Sequence, residues 1–390
     1  MRRSYWRATR RAFLEGAVTG AAALGVGGPT LAERLASAAG LVHLRLLETT
    51  DVHVHLHPYD YYRDKPDDTV GLAKIATLIG KARAEAPNIL LLDNGDFLQG
   101  NPMGDWMAYE RGLKEGDVHP VTAAMNELGF DAATLGNHEF NYGLSFLEKA
   151  LAGARFPFVL ANVAKGRLAE SPRRDETLTR PYVILERELV DSDGGQRRLR
   201  IGLIGFAPPQ ITTWDRAHLE GRVQTRDIVE TARAWLPEMK EAGADIVVAL
   251  SHSGIAAALE PGAENASLGL GRVEDVDAIL TGHQHQLFPG PNYDKIEGAD
   301  IKNGRLFAVP AAMPGFWGSH LGVIDLVLAE DGGEWKVVDA KVENRAIYER
   351  TKDNKVQPLV EAEPRILAVT KDAHEATLAY VRRPVGATAA

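Results

Sequence analysis

The sequence predicts an α/β (α+β) fold with mixed sheets, and two observations carry that reading. Short apolar runs rich in branched residues alternate along the chain with segments whose apolar positions recur at helical spacing, the pattern of sheets and helices layered on a core. Two Asp-Gly-Gly turns, at residues 193–195 and 331–333, each join a pair of strand-like runs, which places antiparallel hairpins in the same fold.

The elements follow in chain order. Residues 41–47 open the fold as a buried strand, and further strands are expected at 89–92, 132–135, 158–161, 201–204, 246–250 and 278–280. Helices are expected at 72–86, 121–128, 144–152 and 227–242, where apolar residues return every three to four positions. The two hairpins pair 182–190 with 199–205, and 321–328 with 335–342. Past Asn344 the strand pattern stops, and Ile366, Ala373, Thr377 and Tyr380 fall at helical spacing after Pro364. A terminal helix closed by Pro384 and Gly386 is therefore predicted.

Composition bounds the function. Hydrophobic residues make up 45% and charged residues 25% of 390, the balance of a folded soluble protein. The absence of cysteine excludes thiolate metal sites, a cysteine nucleophile and disulfides, so any metal ligands must be His, Asp, Glu or Asn. Net charge is −9, and more negative beyond residue 38, because the first 38 residues carry six arginines against two glutamates. An acidic chain of this kind is a poor partner for a nucleic acid polymer.

Thr9, Arg10, Arg11, Ala12, Phe13 and Leu14 set an arginine pair ahead of an Ala/Gly-rich stretch at 16–32. Gly25, Gly27, Gly28 and Pro29 interrupt that stretch, which makes it unsuited to a stable membrane span. Residues 1–38 are expected to be a twin-arginine signal peptide ending at Ala36-Ser37-Ala38, and the mature chain to be periplasmic or secreted.

Five predicted strands run into polar clusters. They are Thr49-Thr50-Asp51-Val52-His53, Asp93-Asn94-Gly95-Asp96, Gly136-Asn137-His138-Glu139, Ser251-His252-Ser253 and Thr281-Gly282-His283-Gln284-His285. The carboxyl edge of an α/β sheet is where ligands bind, so the clusters are expected to converge. Asp51 and His53, like His283 and His285, are two apart and would project to one face of an extended backbone. Gly95, Gly136 and Gly282 precede ligands and would let the chain turn tightly. Asp51, His53, Asp96, Asn137, His252, His283 and His285 are seven candidates, too many for one tetrahedral ion. Two metals sharing Asp96, whose carboxylate has two oxygens, is the economical solution. Each cluster alone has a plain structural explanation as a turn or cap; the five together predict a dinuclear site.

The clusters, with the stretch Gly-Asn-His-Glu-Phe-Asn-Tyr-Gly at 136–143, Ala207-Pro208-Pro209-Gln210-Ile211, Trp214-Asp215 and 313–318, give the chain a resemblance to calcineurin-like metallophosphoesterases. Within them it resembles the periplasmic 5′-nucleotidase group, in particular the 2′,3′-cyclic-nucleotide 2′-phosphodiesterase/3′-nucleotidase branch, from about residue 41 to 386. The resemblance implies a four-layer α/β/β/α sandwich, with a metallophosphoesterase catalytic domain at 39–361. It assigns Asp51, His53, Asp96 and His285 to one metal and Asp96, Asn137, His252 and His283 to the other, with His138 as the catalytic histidine. It implies hydrolysis of nucleotides or other phosphate esters, by attack of a water shared by two divalent ions (Mn²⁺, Zn²⁺, Co²⁺ or Fe²⁺). A 5′-nucleotidase or other phosphomonoesterase is the alternative activity, and a noncatalytic metal- or nucleotide-binding protein the alternative class. Family members usually continue past the terminal helix into a nucleoside-binding domain. Residues 362–390 are therefore expected to be a linker helix and tail, with that C-terminal substrate-binding domain absent from the chain. Asn141 stands where many 5′-nucleotidases have an aspartate. His55, His57, His119, His320 and His374 are expected to be surface or structural, and Tyr59, Tyr61, Tyr62, Phe316 and Trp317 to pack in the core or rim.

Overall fold

The computed structural model of the chain describes residues 40–257, 260–384 and 386, so the expected signal peptide at 1–38 lies outside the described residues. The strands that carry the two main sheets are β1 (Val42–Thr49), β2 (Ile89–Asp93), β3 (Ala132–Ala133), β4 (Tyr182–Val190), β5 (Gln196–Phe206), β6 (Ile246–Ser251), β7 (Ala278–Thr281), β8 (Val309–Pro314), β9 (His320–Asp331) and β10 (Glu334–Ala346). The helices that cover them are α1 (Leu72–Glu85), α2 (Pro120–Leu128), α3 (Leu144–Ala152), α4 (Ile228–Glu241), α5 (Pro364–Val369) and α6 (Lys371–Val381).

The first sheet runs β10-β9-β1-β2-β3, with β1, β2 and β3 parallel and β9 antiparallel to β1. The second runs from the short strands Ala299–Asp300 and Arg305–Leu306 through β8-β7-β6-β5-β4, with β5 to β8 parallel and β4 antiparallel. Both predicted hairpins are present, as β4–β5 and β9–β10.

Period-two alternation builds the layers. Leu44, Leu46, Leu90 and Leu92 of the first sheet share a buried core with Ile201, Leu203, Ile246, Val248, Leu250 and Leu280 of the second. The intervening Leu47 and Leu91 face away and pack with Ile75, Ile79, Val121, Met125 and Leu147 of α1 to α3. On the far side Val247, Ala249 and Ile279 meet Ile228, Ala232, Trp235 and Met239 of α4. The result is an α/β/β/α sandwich. Central strands buried on both faces explain why they read as nearly continuous apolar runs.

Three expectations change. The run at 158–161 is buried but is no strand, because the amides of Val159, Leu160 and Ala161 donate to three different neighbours, Ala133, Arg180 and Gly205. The strand predicted over 132–135 ends at Ala133, because the chain then turns into the site. The terminal helix is two, α5 and α6, broken at Thr370. Among the described residues no helix is long and apolar enough to cross a membrane.

Candidate metal centre

The parallel strands β1 and β2 deliver their carboxyl ends side by side, and backbone bonds lock the loops that follow. Asp51 N donates to Gly95 O at 2.9 Å, His53 N to Asp96 O at 2.8 Å and Val54 N to Phe97 O at 3.1 Å. Across the sandwich, Asn94 Nδ2 donates to Ser251 O at 3.1 Å. The two sheets therefore open onto one site.

The ligand pairs do not sit on extended backbone. Asp51, His53, Asp96, His283 and His285 all have positive φ, between 46° and 70°, a left-handed conformation uncommon for residues other than glycine and costing about 1–3 kcal/mol each. The i and i+2 residues converge because the chain coils back on itself as it leaves the strand. Gly95 is left-handed too, at φ 92°, whereas Gly136 is required for room: a Cβ there would stand 2.2 Å from Asp96 Oδ1 and 2.7 Å from His252 Cδ2.

Glu139 holds this geometry from beneath. Its fully buried carboxylate accepts four backbone N–H groups: Phe97 (2.7 Å) and Leu98 (3.1 Å) on Oε1, Asp96 (2.7 Å) and Gly136 (2.6 Å) on Oε2. The loop bearing Asp96 and the turn bearing Asn137 and His138 are thus pinned to one side chain.

All seven candidate ligands and His138 are brought together. Asp51, His53 and His285 form one group, and Asp96, His252 and His283 another, each with ligand atoms within 4.8 Å of one another. Asp96 Oδ2 lies between them, 2.9 Å from His252 Nε2 and 3.9 Å from His53 Nε2, while Oδ1 accepts from His138 N at 2.7 Å. Thr50 and the His283 amide occupy Asp51 Oδ2, leaving Oδ1 buried and facing His285 Nε2 at 3.2 Å.

The outer partners of the imidazoles fix which nitrogen faces inward. His53 Nδ1 donates to Gln99 O and His252 Nδ1 to Asn94 O, both at 2.7 Å, so each turns its Nε2 toward the centre. His283 is reversed: Nε2 donates to the Glu264 carboxylate at 2.8 Å, and Nδ1 lies 2.8 Å from Asn137 Oδ1. His53 Nε2 and His285 Nε2 are 3.0 Å apart. Lone pairs facing one another at these distances repel unless a cation or a proton lies between them, and the same holds for His252 Nε2 facing Asp96 Oδ2 at 2.9 Å. The donor set fits divalent cations.

The electrostatics agree. Burial alone would depress His252, but the Asp96 and Asp51 carboxylates outweigh it and raise the imidazole to about 10. Against the upward push of burial, His252, His138 and His53 hold Asp96 far below the usual carboxylate range. Burial lowers His53 and His283. Behind the candidate ligands, burial pushes Asp93 up to about 8, so it does not add a full negative charge at neutral pH, and raises Glu48 well above its ordinary value.

His138 stands beside this cluster, its ring 5.0 Å from that of His53. Its Nδ1 lies 2.6 Å from Asn141 Oδ1, and Asn141 Nδ2 donates to Asp215 at 2.9 and 3.0 Å. Aromatic rings rim the site, with Trp214 stacked on His283 and Phe316 on His285 at centroid distances of 5.7 and 4.7 Å. Of the other histidines, His55, His57 and His119 are buried and structural, His320 and His374 are partly exposed, and His218 is exposed. His57 stacks on His374 at 4.1 Å and its Nε2 donates to Thr370 Oγ1, whose own hydrogen goes to Ile366 O, tying α6 to the loop after β1.

Sequence reasoning missed Glu264, the role of Asp215, named above only within a family stretch, and the anchoring role of Glu139. The first two reach the site from loops with no spacing signal; Asp215 is 74 residues from Asn141. Glu139 had a signal, since a carboxylate within a Gly-rich turn is a ready acceptor for backbone amides.

Comparison with known proteins agrees with this geometry. The calcineurin-like phosphoesterase family model matches residues 44–287. The chain is 47% identical over 352 residues to a 2′,3′-cyclic-nucleotide 2′-phosphodiesterase/3′-nucleotidase of Salmonella typhimurium, covering 90% of this chain and 53% of that protein. It is 44% identical over 381 residues to the Haemophilus influenzae protein of the same name, covering 97% and 55%. The crystal structure of the calcineurin-like phosphoesterase YfkN from Bacillus subtilis superposes with a TM-score of 0.81 at 43% identity, over 88% of this chain and all of that one. The chain spans about half the length of the two phosphodiesterase relatives. With the family model matching well over half its residues, the chain belongs to the calcineurin-like phosphoesterase family.

Proposed function

We propose that the chain is the catalytic part of a dinuclear-metal phosphoester hydrolase that opens 2′,3′-cyclic nucleotides at the 2′ oxygen and then removes the 3′ phosphate. One observation carries the reading: Asp96 Oδ2 lies between the two ligand groups, the position of a carboxylate shared by two cations. Asp51, His53, Asp96 and His285 hold one ion, and Asp96, Asn137, His252 and His283 the other. The mixture of imidazole with carboxylate and amide oxygen suits Mn²⁺, Zn²⁺, Co²⁺ or Fe²⁺. Two such ions, when bound, activate water for in-line attack and neutralise the phosphoryl oxygens. The left-handed loops and Glu139 keep the ligands preorganised, so little reorganisation is needed when charge develops.

His138 is the catalytic residue of this reading. Asn141 holds one ring nitrogen, which leaves Nε2 to meet the phosphoryl group or, when the ring carries a proton on both nitrogens, to hand one to the departing ribose oxygen. The substrate class is drawn from the relatives' names. The same reading makes residues 39–361 the catalytic domain and 362–390 a terminal linker helix and tail. It also has the chain exported by the twin-arginine route that Arg10 and Arg11 suggest.

The test is turnover of the Mn²⁺-loaded protein on 2′,3′-cyclic AMP, 3′-AMP and 5′-AMP in parallel. Release of 3′-AMP and then adenosine, with 5′-AMP a poor substrate, is expected. Preference for 5′-AMP would replace the reading with a 5′-nucleotidase, and metal binding without turnover of any ester would leave a binding protein.

A further inference from the structure

We infer that Asp215 is a positioning residue for His138, acting through the Asn141 amide; the catalytic part of this inference rests on the function proposed above. An asparagine side chain is nearly symmetric in shape but opposite in hydrogen bonding at its two ends. Which end meets His138 decides which nitrogen of the imidazole carries its hydrogen. Asp215 makes that choice. A carboxylate only accepts, so the Asn141 Nδ2 group must face it, donating at 2.9 and 3.0 Å. Oδ1 is then obliged to face His138 Nδ1, 2.6 Å away. Nδ1 must therefore donate, and Nε2 is left as the free nitrogen.

The surroundings hold Asp215 to this task. It lies between the short helices Ile211–Trp214 and Arg216–Leu219; its N–H donates to Ile211 O, and its carbonyl accepts from the His218 and Leu219 amides. The residue is buried. Among the described residues its carboxylate pairs with no lysine or arginine, and Asn141 is its side-chain partner. A buried carboxylate without a counter-cation is costly, and this one makes no capping hydrogen bond to the helix it precedes. With Asp215 absent, the amide can turn over, place Nδ2 against Nδ1 and drive the imidazole into the other tautomer.

The experiment compares the Zn²⁺-loaded parent protein with Asp215→Ala, Asp215→Asn and the exchanged pair Asn141→Asp/Asp215→Asn. Long-range ¹H–¹⁵N spectra of the ring nitrogens, assigned with His138→Gln, read the tautomer without any substrate. The parent should show His138 with hydrogen on Nδ1, and Asp215→Ala a mixture or the reverse. On 2′,3′-cyclic AMP the single variants should lose roughly 10- to 100-fold in kcat with KM within about twofold, and the exchanged pair should recover most of it because a carboxylate again accepts from Nδ1. An unchanged tautomer in Asp215→Ala overturns the relay. So does a loss shared by KM, metal content and the exchanged pair, which would mark Asp215 as merely structural. Failure of the nucleotide reading would instead show as no turnover by the parent, with the spectra still deciding the relay.

Discussion

Glu139→Gln should separate the two halves of the centre. The carboxylate satisfies two N–H groups on each oxygen; glutamine keeps one oxygen and turns an NH₂ group toward the other pair of donors. Two hydrogen bonds to a charged acceptor are lost, at about 1.5–3 kcal/mol each, and the two amides are left buried and unpaired. The expected destabilisation is therefore about 3–6 kcal/mol, against a total of about 5–15 kcal/mol for an ordinary domain. Because the amides belong to Asp96 and Gly136, or to Phe97 and Leu98 if the side chain seats the other way, the loop carrying Asp96 loosens in either case. Urea unfolding followed by circular dichroism should show a midpoint lower by about 1 M or more. Elemental analysis after gel filtration should show fewer than two metals per chain. Glu148 on α3 is exposed and makes no such contacts among the described residues, and Glu148→Gln should change neither readout. A Glu139→Gln protein with the parent midpoint and a full metal complement would refute the claim that this side chain organises the site.

Three further outcomes follow from the same geometry. Asp96→Ala should remove metal and activity together, and retention of both would refute a shared carboxylate. His138→Ala should lower turnover of 2′,3′-cyclic AMP by about 10²- to 10⁴-fold but that of bis(p-nitrophenyl) phosphate far less, since nitrophenolate leaves without a proton; equal losses would exclude proton donation. Burial pushes the Asp277 carboxyl from 3.8 up to about 6. The folded chain thus holds this proton more tightly than the unfolded chain, so its contribution to stability falls as pH rises from 4 through 6, by about 2–3 kcal/mol. Asp277→Asn keeps an acceptor for the Val247 amide, 2.8 Å away, without the charge. It should raise the urea midpoint at pH 8 and leave it unchanged at pH 4; the same shift at both would refute the assignment.

What was legible in the sequence was what local pattern encodes. Alternation in β1, β2 and β6 is real in the fold, with Leu46 and Leu47, or Val247 and Val248, on opposite faces of their sheets. Both Asp-Gly-Gly hairpins turn where the glycines stand. Residues 158–161 misled because burial alone makes an apolar run, whereas a strand also needs consecutive amides to find the same neighbour. The site residues were legible because Asp, Asn and His at strand ends have few reasons to gather in an apolar setting. Their backbone was not: left-handed φ at Asp51, His53, Asp96, His283 and His285 is imposed by the packed loops, and no local propensity announces it.

That distinction bears on how the centre works. An extended Asp-x-His would place its ligands on a flexible strand extension, free to follow the ion. Here five of the seven candidate ligand residues are held in an uncommon backbone conformation, by Glu139 beneath Asp96, by the Gly95 and Asp96 carbonyls beneath Asp51 and His53, and by Glu264 behind His283. Strain stored in this way persists only where the surroundings over-determine it, and its return is a set of donors already aimed before any cation arrives. Hydrogen exchange in the chelated protein tests this. Protection at Asp96, Phe97 and Gly136 amides comparable to that of β2 is expected, and exchange as fast as in an open loop would mean that the ion builds the site.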